Sequence, residues 1–90
     1  MLKLVYTKQL SKDLKKPQKR GKDLDKFKII ARTLVRGEDL DAIHGDHRLL
    51  GTYAGRRECH IESDWLLIYK TIEDTIIFER MGSHSDLFKK

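Results

Sequence analysis

The chain has 90 residues, of which 39% are hydrophobic and 37% are charged, and its formal net charge is +5. This length suits one domain over residues 1–90 with a modest core, and the apolar content excludes a disordered chain. No apolar run is long enough for a membrane span and no signal peptide is evident, so we expect a cytoplasmic protein. The single cysteine, Cys59, fits a reducing compartment.

The positive charge is concentrated in the first part of the chain. Residues 1–40 carry a net charge of +7, and residues 41–90 carry a net charge of −2. Clustered cations attract phosphate backbones whatever the base sequence, so this region is typical of an RNA contact; a solvated helical surface is the alternative. The cations that we predict to contact RNA are Lys15, Lys16, Lys19, Arg20, Lys22 and Lys26.

The first elements follow from apolar spacing and capping residues. Residues 2–6 alternate apolar and basic side chains, which predicts a short strand at or near a sheet edge. Thr7 is a suitable N-cap for a helix over residues 8–16, and Pro17 is expected to interrupt that helix because proline lacks an amide hydrogen. A second helix is predicted over residues 22–36, where apolar side chains recur every three or four positions.

A long irregular stretch separates the second helix from the remaining elements. Residues 38–55 contain three glycines and little periodicity, and a loop of this length in a small domain is usually functional or mobile. Two strands, residues 57–61 and 65–71, are then predicted to form a hairpin about a polar turn. A further strand is predicted over residues 75–81, and residues 85–88 are predicted to form a terminal turn.

The order of the elements, β-α-α-β-β-β with a short C-terminal tail, predicts an α+β fold. We expect a small antiparallel sheet with two N-terminal helices packed on one of its faces. The helix over residues 22–36 should turn its apolar stripe toward the sheet and its cations toward solvent.

Three histidines lie at the ends of the predicted elements, and their chemistry suits the cleavage of RNA. His47 precedes the hairpin, His60 ends its first strand, and His84 follows the last strand. Histidine titrates near neutral pH, so two imidazoles can act as general base and general acid on a phosphodiester. RNA supplies its own nucleophile, the 2′-hydroxyl. Asp64 in the hairpin turn and a cation for the phosphorane, Arg80, complete the group.

Several of these residues have a structural alternative. A histidine beside a turn is often a surface hydrogen-bonding residue, and His44 is interpreted in that way because nothing in its sequence context suggests a role. Arg80 could pair with Glu58 or Glu79 across the sheet.

Two aromatic residues lie near the histidines in sequence. Trp65 and Phe88 are suited to stack on an unpaired base, and the alternative for both is packing in the core or in a lid. We assign Trp65, Phe88 and Glu58 as RNA contacts or as supports of the site.

A zinc site is a further alternative. It would use His47, His60, His84 and Asp64, but the chain has no close-spaced pair of His or Cys of the kind that metal motifs contain. The chain also has no glycine-rich phosphate loop and no dinucleotide fingerprint. We therefore predict that the site uses no metal and no cofactor.

Three ordered motifs and the opening strand carry a resemblance that extends over nearly the whole chain. The motifs are Asp46-His47-x-Leu49-x-Gly51, Arg57-Glu58-Cys59-His60-Ile61-x-x-Asp64-Trp65 and Glu79-Arg80-x-Gly82-Ser83-His84-x-x-Leu87-Phe88. With them the chain resembles the YafQ-type branch of the RelE/ParE toxin superfamily. One departure is Arg48, where the family often has proline, and this change predicts a less rigid His47 loop or an added phosphate contact.

The resemblance implies a microbial-ribonuclease-like fold and ribosome-dependent cleavage of mRNA in the A site, by the toxin of a type II toxin–antitoxin pair. It also implies a small antitoxin of the DinJ or RelB kind, in a complex expected to be a heterotetramer, and ribosomal RNA against the N-terminal cations. It assigns catalysis to His47, His60, Asp64 and His84, with Arg80 as the transition-state cation and Trp65 and Phe88 as supports or RNA contacts.

Two other classes of function share these features in part. A ParE-like inhibitor of gyrase has the same fold but no need of clustered imidazoles. A non-catalytic RNA-binding module needs only the cations and the aromatic residues. The retained histidines favour the endoribonuclease over both.

Overall fold

The computed structural model describes residues 1–88, so residues 89 and 90 of the predicted domain lie outside the described residues. It contains five strands, four short α-helices and two 3₁₀ turns. The strands are β1 (Lys3–Tyr6), β2 (His47–Arg48), β3 (Arg57–Glu62), β4 (Trp65–Ile72) and β5 (Thr75–Gly82). The helices are α1 (Lys8–Asp13), α2 (Lys15–Lys19), α3 (Leu24–Val35) and α4 (His84–Leu87), and the 3₁₀ turns are Ala42–His44 and Gly51–Tyr53.

The strands form one sheet in the order β1-β5-β4-β3-β2. The predicted hairpin is present, with β3 and β4 antiparallel, and β5 continues the antiparallel pattern. The α+β class is confirmed, but β1 pairs parallel to β5, which departs from the antiparallel sheet we predicted. Local patterns indicate that a strand exists, whereas its direction depends on the path that the rest of the chain takes.

The first helices differ from their predicted bounds. Thr7 caps α1 as expected, because its Oγ1 accepts a hydrogen bond from the amide of Leu10 at 3.0 Å. The helix then ends at Asp13, and α2 begins one residue later. The prediction that Pro17 interrupts the first helix was wrong, because Pro17 is the third residue of α2. Residues in the first turn of a helix make no amide hydrogen bond within it, so proline is tolerated there.

The helix α3 confirms the second predicted helix within two residues at its start and one at its end. Asp23 caps it, accepting a hydrogen bond from the amide of Asp25 at 3.0 Å. Its apolar stripe, which includes Phe27, Ile30 and Leu34, is buried against the sheet. Its cations face away from the sheet, as the periodicity predicted.

The sheet buries apolar side chains on both faces. The larger cluster lies between the sheet and helices α1 and α3, and includes Phe78, Leu67 and Cys59. A smaller cluster on the opposite face joins Leu66 and Ile68 to Leu87 of α4. Cys59 is fully buried in the larger cluster, and burial raises the pKa of its thiol to about 12. No helix within residues 1–88 has the length and hydropathy to cross a membrane.

Candidate active site

The candidate site lies on the sheet face opposite α3. Side chains alternate along β3, so Cys59 and Ile61 enter the larger core while Glu58 and His60 turn to the other face. Glu58 is a buried charged residue, only 4% exposed. Its Oε1 lies 3.7 Å from Nε2 of His47 and 4.0 Å from Nε2 of His60. This carboxylate therefore stands between two of the predicted catalytic imidazoles.

His47 is held in place by the short pairing of β2 with β3, where it lies opposite Glu58. Its Nδ1 is 2.7 Å from the carbonyl oxygen of Gly45. Because a carbonyl only accepts, Nδ1 carries a hydrogen, and Nε2 is the nitrogen that faces Glu58. The loop that carries His47 is held against the sheet by Asp46, whose Oδ1 accepts hydrogen bonds from Tyr69 at 2.7 Å and from Arg57 at 3.1 Å.

His60 is held in place by hydrogen bonds with His44, a residue that the sequence analysis interpreted as structural. Nδ1 of His44 lies 2.7 Å from the carbonyl oxygen of His60, and Nδ1 of His60 lies 3.4 Å from that of His44. Gly45 has a positive φ of 53°, and a Cβ there would lie 3.3 Å from Nδ1 of His60. Only glycine fits this position without strain, so the loop can close against the imidazole.

His84 is the first residue of α4 and is fixed by two neighbouring carboxylates. Ser83 and Asp86 form a capping box around the start of the helix. Asp64 accepts hydrogen bonds from the backbone amide of His84 at 2.9 Å and from its Nδ1 at 2.7 Å. These two bonds lower the pKa of Asp64, so it remains a carboxylate. Gly82 completes the arrangement, because a Cβ there would lie 3.0 Å from Cβ of Asp86.

The rings of His60 and His84 lie next to each other, with 5.7 Å between their centroids. One ligand atom each from Glu58, His60 and His84 falls within 4.8 Å of the other two, so these three residues could hold a metal ion. Two imidazoles and a carboxylate suit zinc or copper. The alternative zinc site considered from the sequence included His60 and His84, but it had His47 and Asp64 where the structure places Glu58. The predicted metal-free chemistry stays a prediction.

Glu58 of β3 and Arg80 of β5 both pair with Ile68 of β4, the strand between them. Paired residues of neighbouring strands point to the same face, so Arg80 lies on the same sheet face as Glu58. Its expected partners were Glu58 or Glu79. It binds Asp13 of α1 instead, with Nε to Oδ2 at 2.9 Å and Nη2 to Oδ1 at 3.4 Å. The hydrogen bond to Asp13 raises the pKa of Arg80, which keeps its charge at every relevant pH.

The two predicted aromatic contacts have different surroundings. Phe88 is 37% exposed and lies against the rings of Tyr53 and His84, at centroid distances of 5.8 and 6.5 Å. Trp65 is only 3% exposed and packs in the larger core, with Nζ of Lys22 5.8 Å from its ring centre. Its assignment as an RNA contact is therefore corrected, because a buried ring offers no face to a base. Trp65 packs in the core of the hairpin. Glu58 is also buried, and its carboxylate lies beside the imidazoles of His47 and His60, so site support is the part of its assignment that its position favours.

The six predicted RNA-binding cations fall into two groups. Lys22 and Lys26 both bind Glu62, at 3.1 and 2.9 Å, and they lower the pKa of that carboxylate. Lys16 lies 3.5 Å from Asp86. Among residues 1–88, the cations of α2 and of its C-cap residue that have no carboxylate within 4.0 Å are Lys15, Lys19 and Arg20, which we call the free cations of α2. The set of cations that are free to contact RNA is thus smaller than the six predicted from the sequence.

A cleft of about 450 Å³ lies beside this cationic region. It runs between α1 and α2 on one side and the hairpin tip and α4 on the other. Its walls include Lys16, Arg20 and Arg80, and also Asp64, which binds His84. No imidazole within residues 1–88 lines the cleft itself, and Asp64 is its link to the histidine group.

Comparison with known proteins agrees with this geometry. The model of a family described as the bacterial toxin YafQ of type II toxin–antitoxin systems matches residues 2–89. The chain belongs to the YafQ toxin family. The mRNA interferase toxin YafQ of Escherichia coli K12 is 44% identical over 86 residues, which cover 94% of each chain.

Solved structures of family members have the same fold. YafQ in the E. coli DinJ–YafQ complex superposes with a TM-score of 0.90 at 40% identity, covering 98% of this chain and 99% of that one. A copper-bound mutant toxin from Helicobacter pylori superposes with a TM-score of 0.93 at 41% identity, covering 98% and 100%. The fold predicted from the resemblance is therefore confirmed.

Two residues near the site were missed by sequence reasoning. His44 braces His60, and Asp13 holds Arg80 from 67 residues away in the chain. The closeness of His44 and His47 in one loop could have indicated the role of His44, because a loop that places His47 near the site also places His44 near it. Asp13 gave no comparable signal, since its contact depends on how α1 packs along the edge of β5.

Proposed function

We propose that the protein is a ribosome-dependent endoribonuclease, the toxin of a type II toxin–antitoxin pair, that cleaves mRNA in the ribosomal A site. The observation that carries the proposal is the pair of imidazoles, His60 and His84, whose ring centres lie 5.7 Å apart beside the carboxylates Glu58 and Asp64. The printed names of the E. coli relatives, mRNA interferase toxins, agree with this proposal.

Cleavage begins when the 2′-hydroxyl of the RNA attacks the neighbouring phosphorus. One imidazole takes the hydroxyl proton, the bond from phosphorus to the 5′-oxygen breaks, and a second imidazolium gives its proton to that oxygen. The products are a 2′,3′-cyclic phosphate and a 5′-hydroxyl. The proposed acid and base are His60 and His84, with His47 as a third imidazole beside Glu58.

The carboxylates around the imidazoles determine which nitrogen reacts. Asp64 binds Nδ1 of His84, so the other ring nitrogen of His84 is free to exchange a proton with the RNA. Asp64 also stabilises the imidazolium form by direct charge pairing. Glu58 has the same effect on Nε2 of His47 or His60 after either ring takes up a proton.

Charge develops on the phosphate oxygens in the transition state, and a fixed cation nearby lowers its energy. Arg80 is suited to this role because its guanidinium is already oriented by Asp13 and need not be ordered during the reaction. The exposed ring of Phe88, next to His84, is placed to stack on a base beside the cleaved bond.

The proposed partners follow from the same surfaces. The free cations of α2 bind ribosomal RNA, and mRNA enters the cleft whose wall includes Asp64, the partner of His84. A DinJ-like antitoxin neutralises the toxin, a partner that the solved DinJ–YafQ complex of E. coli suggests. We expect the toxin–antitoxin complex to be a heterotetramer. The site of action is the cytoplasm, where translating ribosomes are found.

A reconstituted translation reaction with a defined reporter mRNA tests the proposal. Adding the protein should produce cuts at codons that occupy the A site, and primer extension locates them. The same mRNA without ribosomes should be cut much more slowly. The double variant His60→Ala/His84→Ala is the inactive control. Equal loss of translation with both proteins, without cuts, would instead favour a non-catalytic RNA-binding module, and inhibition of gyrase would favour the ParE-like class.

The ribosome contact is tested separately through the free cations of α2. Reversing Lys15, Lys19 and Arg20 to glutamate should weaken ribosome binding and reduce the slope of log affinity against log salt by about 2 to 3, since each lost phosphate contact removes about 0.9. The matched control reverses Lys22 and Lys26, which are already paired with Glu62, and should have a smaller effect. A salt slope unchanged by the α2 variant would exclude α2 from the ribosome contact.

A further inference from the structure

The end of β5 has a helix on its outer side where the rest of the strand has β1. Within residues 1–88, β1 ends at Tyr6, which pairs with Phe78, while β5 continues to Gly82. Buried backbone groups need hydrogen-bond partners, so the end of β5 requires donors and acceptors from another element. The helix α1 follows β1 after Thr7 and packs against β5. It therefore takes the place that a longer β1 would occupy.

Both ends of α1 bind the backbone of β5. At the start of the helix, Oγ1 of Thr7 donates to the carbonyl oxygen of Glu79 at 2.8 Å. At its last residue, Oδ2 of Asp13 accepts a hydrogen bond from the amide of Met81 at 3.0 Å. The helix thus supplies one donor and one acceptor, as a neighbouring strand would.

A β-bulge lies between these two contacts. The pairing of β4 with β5 shifts by one residue between Ile68 and Tyr69, and Glu79 has no partner on β4. A bulge bends the strand and changes the direction of the side chains beside it. The residue beside this bulge is Arg80, so the contacts of α1 flank the residue whose direction the bulge determines.

The carboxylate of Asp13 has a full set of hydrogen bonds. The side chain is only 10% exposed. In addition to the amide of Met81, Oδ2 accepts from Nε of Arg80 at 2.9 Å. Oδ1 accepts from Nη2 of Arg80 at 3.4 Å and from Nε2 of Gln9 at 2.9 Å. A carboxylate has about four acceptor sites, so Asp13 is fixed by its partners and fixes them in turn.

The guanidinium of Arg80 retains a second edge. Asp13 binds the edge formed by Nε and Nη2. The adjacent edge, formed by Nη1 and the other hydrogen of Nη2, has the geometry that binds a phosphate through two parallel hydrogen bonds. A guanidinium is planar, so fixing one edge also fixes the direction of the other.

We propose that Asp13 is a positioning residue of the cleavage reaction, which fixes the bulge and the guanidinium of Arg80 so that its second edge meets the phosphate oxygens. This inference rests on the proposed function, because it takes the role of Arg80 from there. It adds the residue through which α1 determines the geometry of that cation. A buried ion pair adds little net stability over apolar side chains of similar volume, so the advantage of this pair is its geometry.

A double-mutant cycle, measured as single-turnover cleavage on saturating ribosomes, tests the proposal. Arg80→Ala should lower the rate by roughly 10²–10³-fold, the usual loss for one donor to the transition state. Asp13→Ala should lower it by roughly 10- to 100-fold, since a displaced group loses most of its effect. The double variant should be no slower than Arg80→Ala within about threefold, because Asp13 then has no cation to position. Losses that multiply would overturn the proposal, and so would a faster rate for Asp13→Ala.

Two further variants separate positioning from stability. Asp13→Asn keeps one acceptor oxygen, so it should melt within a few degrees of the wild type. Its amide group would face a donor, so the rate should still fall by at least about fivefold. The matched control is Asp74→Asn, which removes an exposed carboxylate that pairs with Lys3 at the other end of β5. It should change the rate by less than about twofold. A wild-type rate for Asp13→Asn would leave Asp13 with a role in stability alone.

NMR follows the position of Arg80 without the reaction. The Nε–H signal of Arg80, identified by its absence from Arg80→Ala, should exchange slowly because Asp13 accepts its hydrogen bond. Asp13→Asn should speed this exchange by at least about tenfold. An unchanged exchange rate would overturn the inference while leaving cleavage by the wild type intact. A wild type that does not cleave mRNA on ribosomes would instead reject the proposed function, and this inference with it.

Discussion

An mRNA with a 2′-deoxyribose at the cleaved nucleotide is expected to resist cleavage completely. The attacking group in the proposed reaction is the 2′-hydroxyl, and without it the imidazoles have no nucleophile to activate. The uncut deoxy substrate should still bind to the ribosome and hold the protein in the A site. Cleavage is followed on a gel, with the deoxy position moved one nucleotide downstream as the matched control, which should be cut at the normal rate.

The chemical ends of the product check the same step. Attack by the 2′-hydroxyl leaves a 2′,3′-cyclic phosphate or a 3′-phosphate on one fragment and a 5′-hydroxyl on the other. Treating the protein alone with EDTA, and removing the chelator before ribosomes are added, should leave the rate unchanged. Cutting of the deoxy substrate, a 5′-phosphate product or loss of activity after this treatment would reject the reaction proposed here. The group of Glu58, His60 and His84 would then become the first candidate for a catalytic metal site.

Replacing either of the paired imidazoles should lower the single-turnover cleavage rate by roughly 10²–10⁴-fold. This is the usual contribution of a positioned acid or base, and it applies to His60→Ala and to His84→Ala. The double variant should lose less than the product of the two, because an acid and a base that act in one step are not independent. Ribosome binding should not change, since neither ring belongs to the cationic surface of α2.

His44→Ala is the matched control for the histidine variants. The side chain of His44 contacts the site through the carbonyl oxygen of His60, and the alanine variant keeps the backbone carbonyl that lies near Nδ1 of His60, so the rate should fall by less than about tenfold. The wild-type rate should also fall on both sides of neutral pH, because one imidazole must be neutral and another protonated. If His44→Ala loses as much activity as His60→Ala, His44 itself would have to take part in the acid–base step, and the assignment to His60 and His84 would be rejected.

Much of the fold was predictable because its signals are local. The hairpin of β3 and β4 follows from β-prone runs on either side of Glu62-Ser63-Asp64, and its observed bounds are within one residue of those predicted. The apolar stripe of α3 is equally local. The parallel pairing of β1 with β5 was not predictable, because nothing within residues 2–6 or 75–81 indicates which strand lies beside the other or in which direction.

The candidate site was predictable in its residue types and not in its contacts. His47, His60, His84 and Asp64 were expected together because they lie at the ends of elements around one hairpin. Their partners depend on burial and on contacts distant in sequence. Glu58 is buried by the sheet, which places its carboxylate between two imidazoles. Arg80 binds the carboxylate of Asp13, which belongs to a helix distant in sequence. Neither effect leaves a local pattern.

The pairing of β1 with β5 also determines when a newly made chain can complete its sheet. Lys3 pairs with Thr75, and Oγ1 of Thr7 donates to the carbonyl of Glu79, 72 residues later. Translation proceeds from the N-terminus at about 5–20 residues per second, so β1 is made seconds before β5 and has no partner strand until then. His84, which follows β5, is made later still. The sheet and the imidazole cluster on its face therefore form only after β5 has been synthesised.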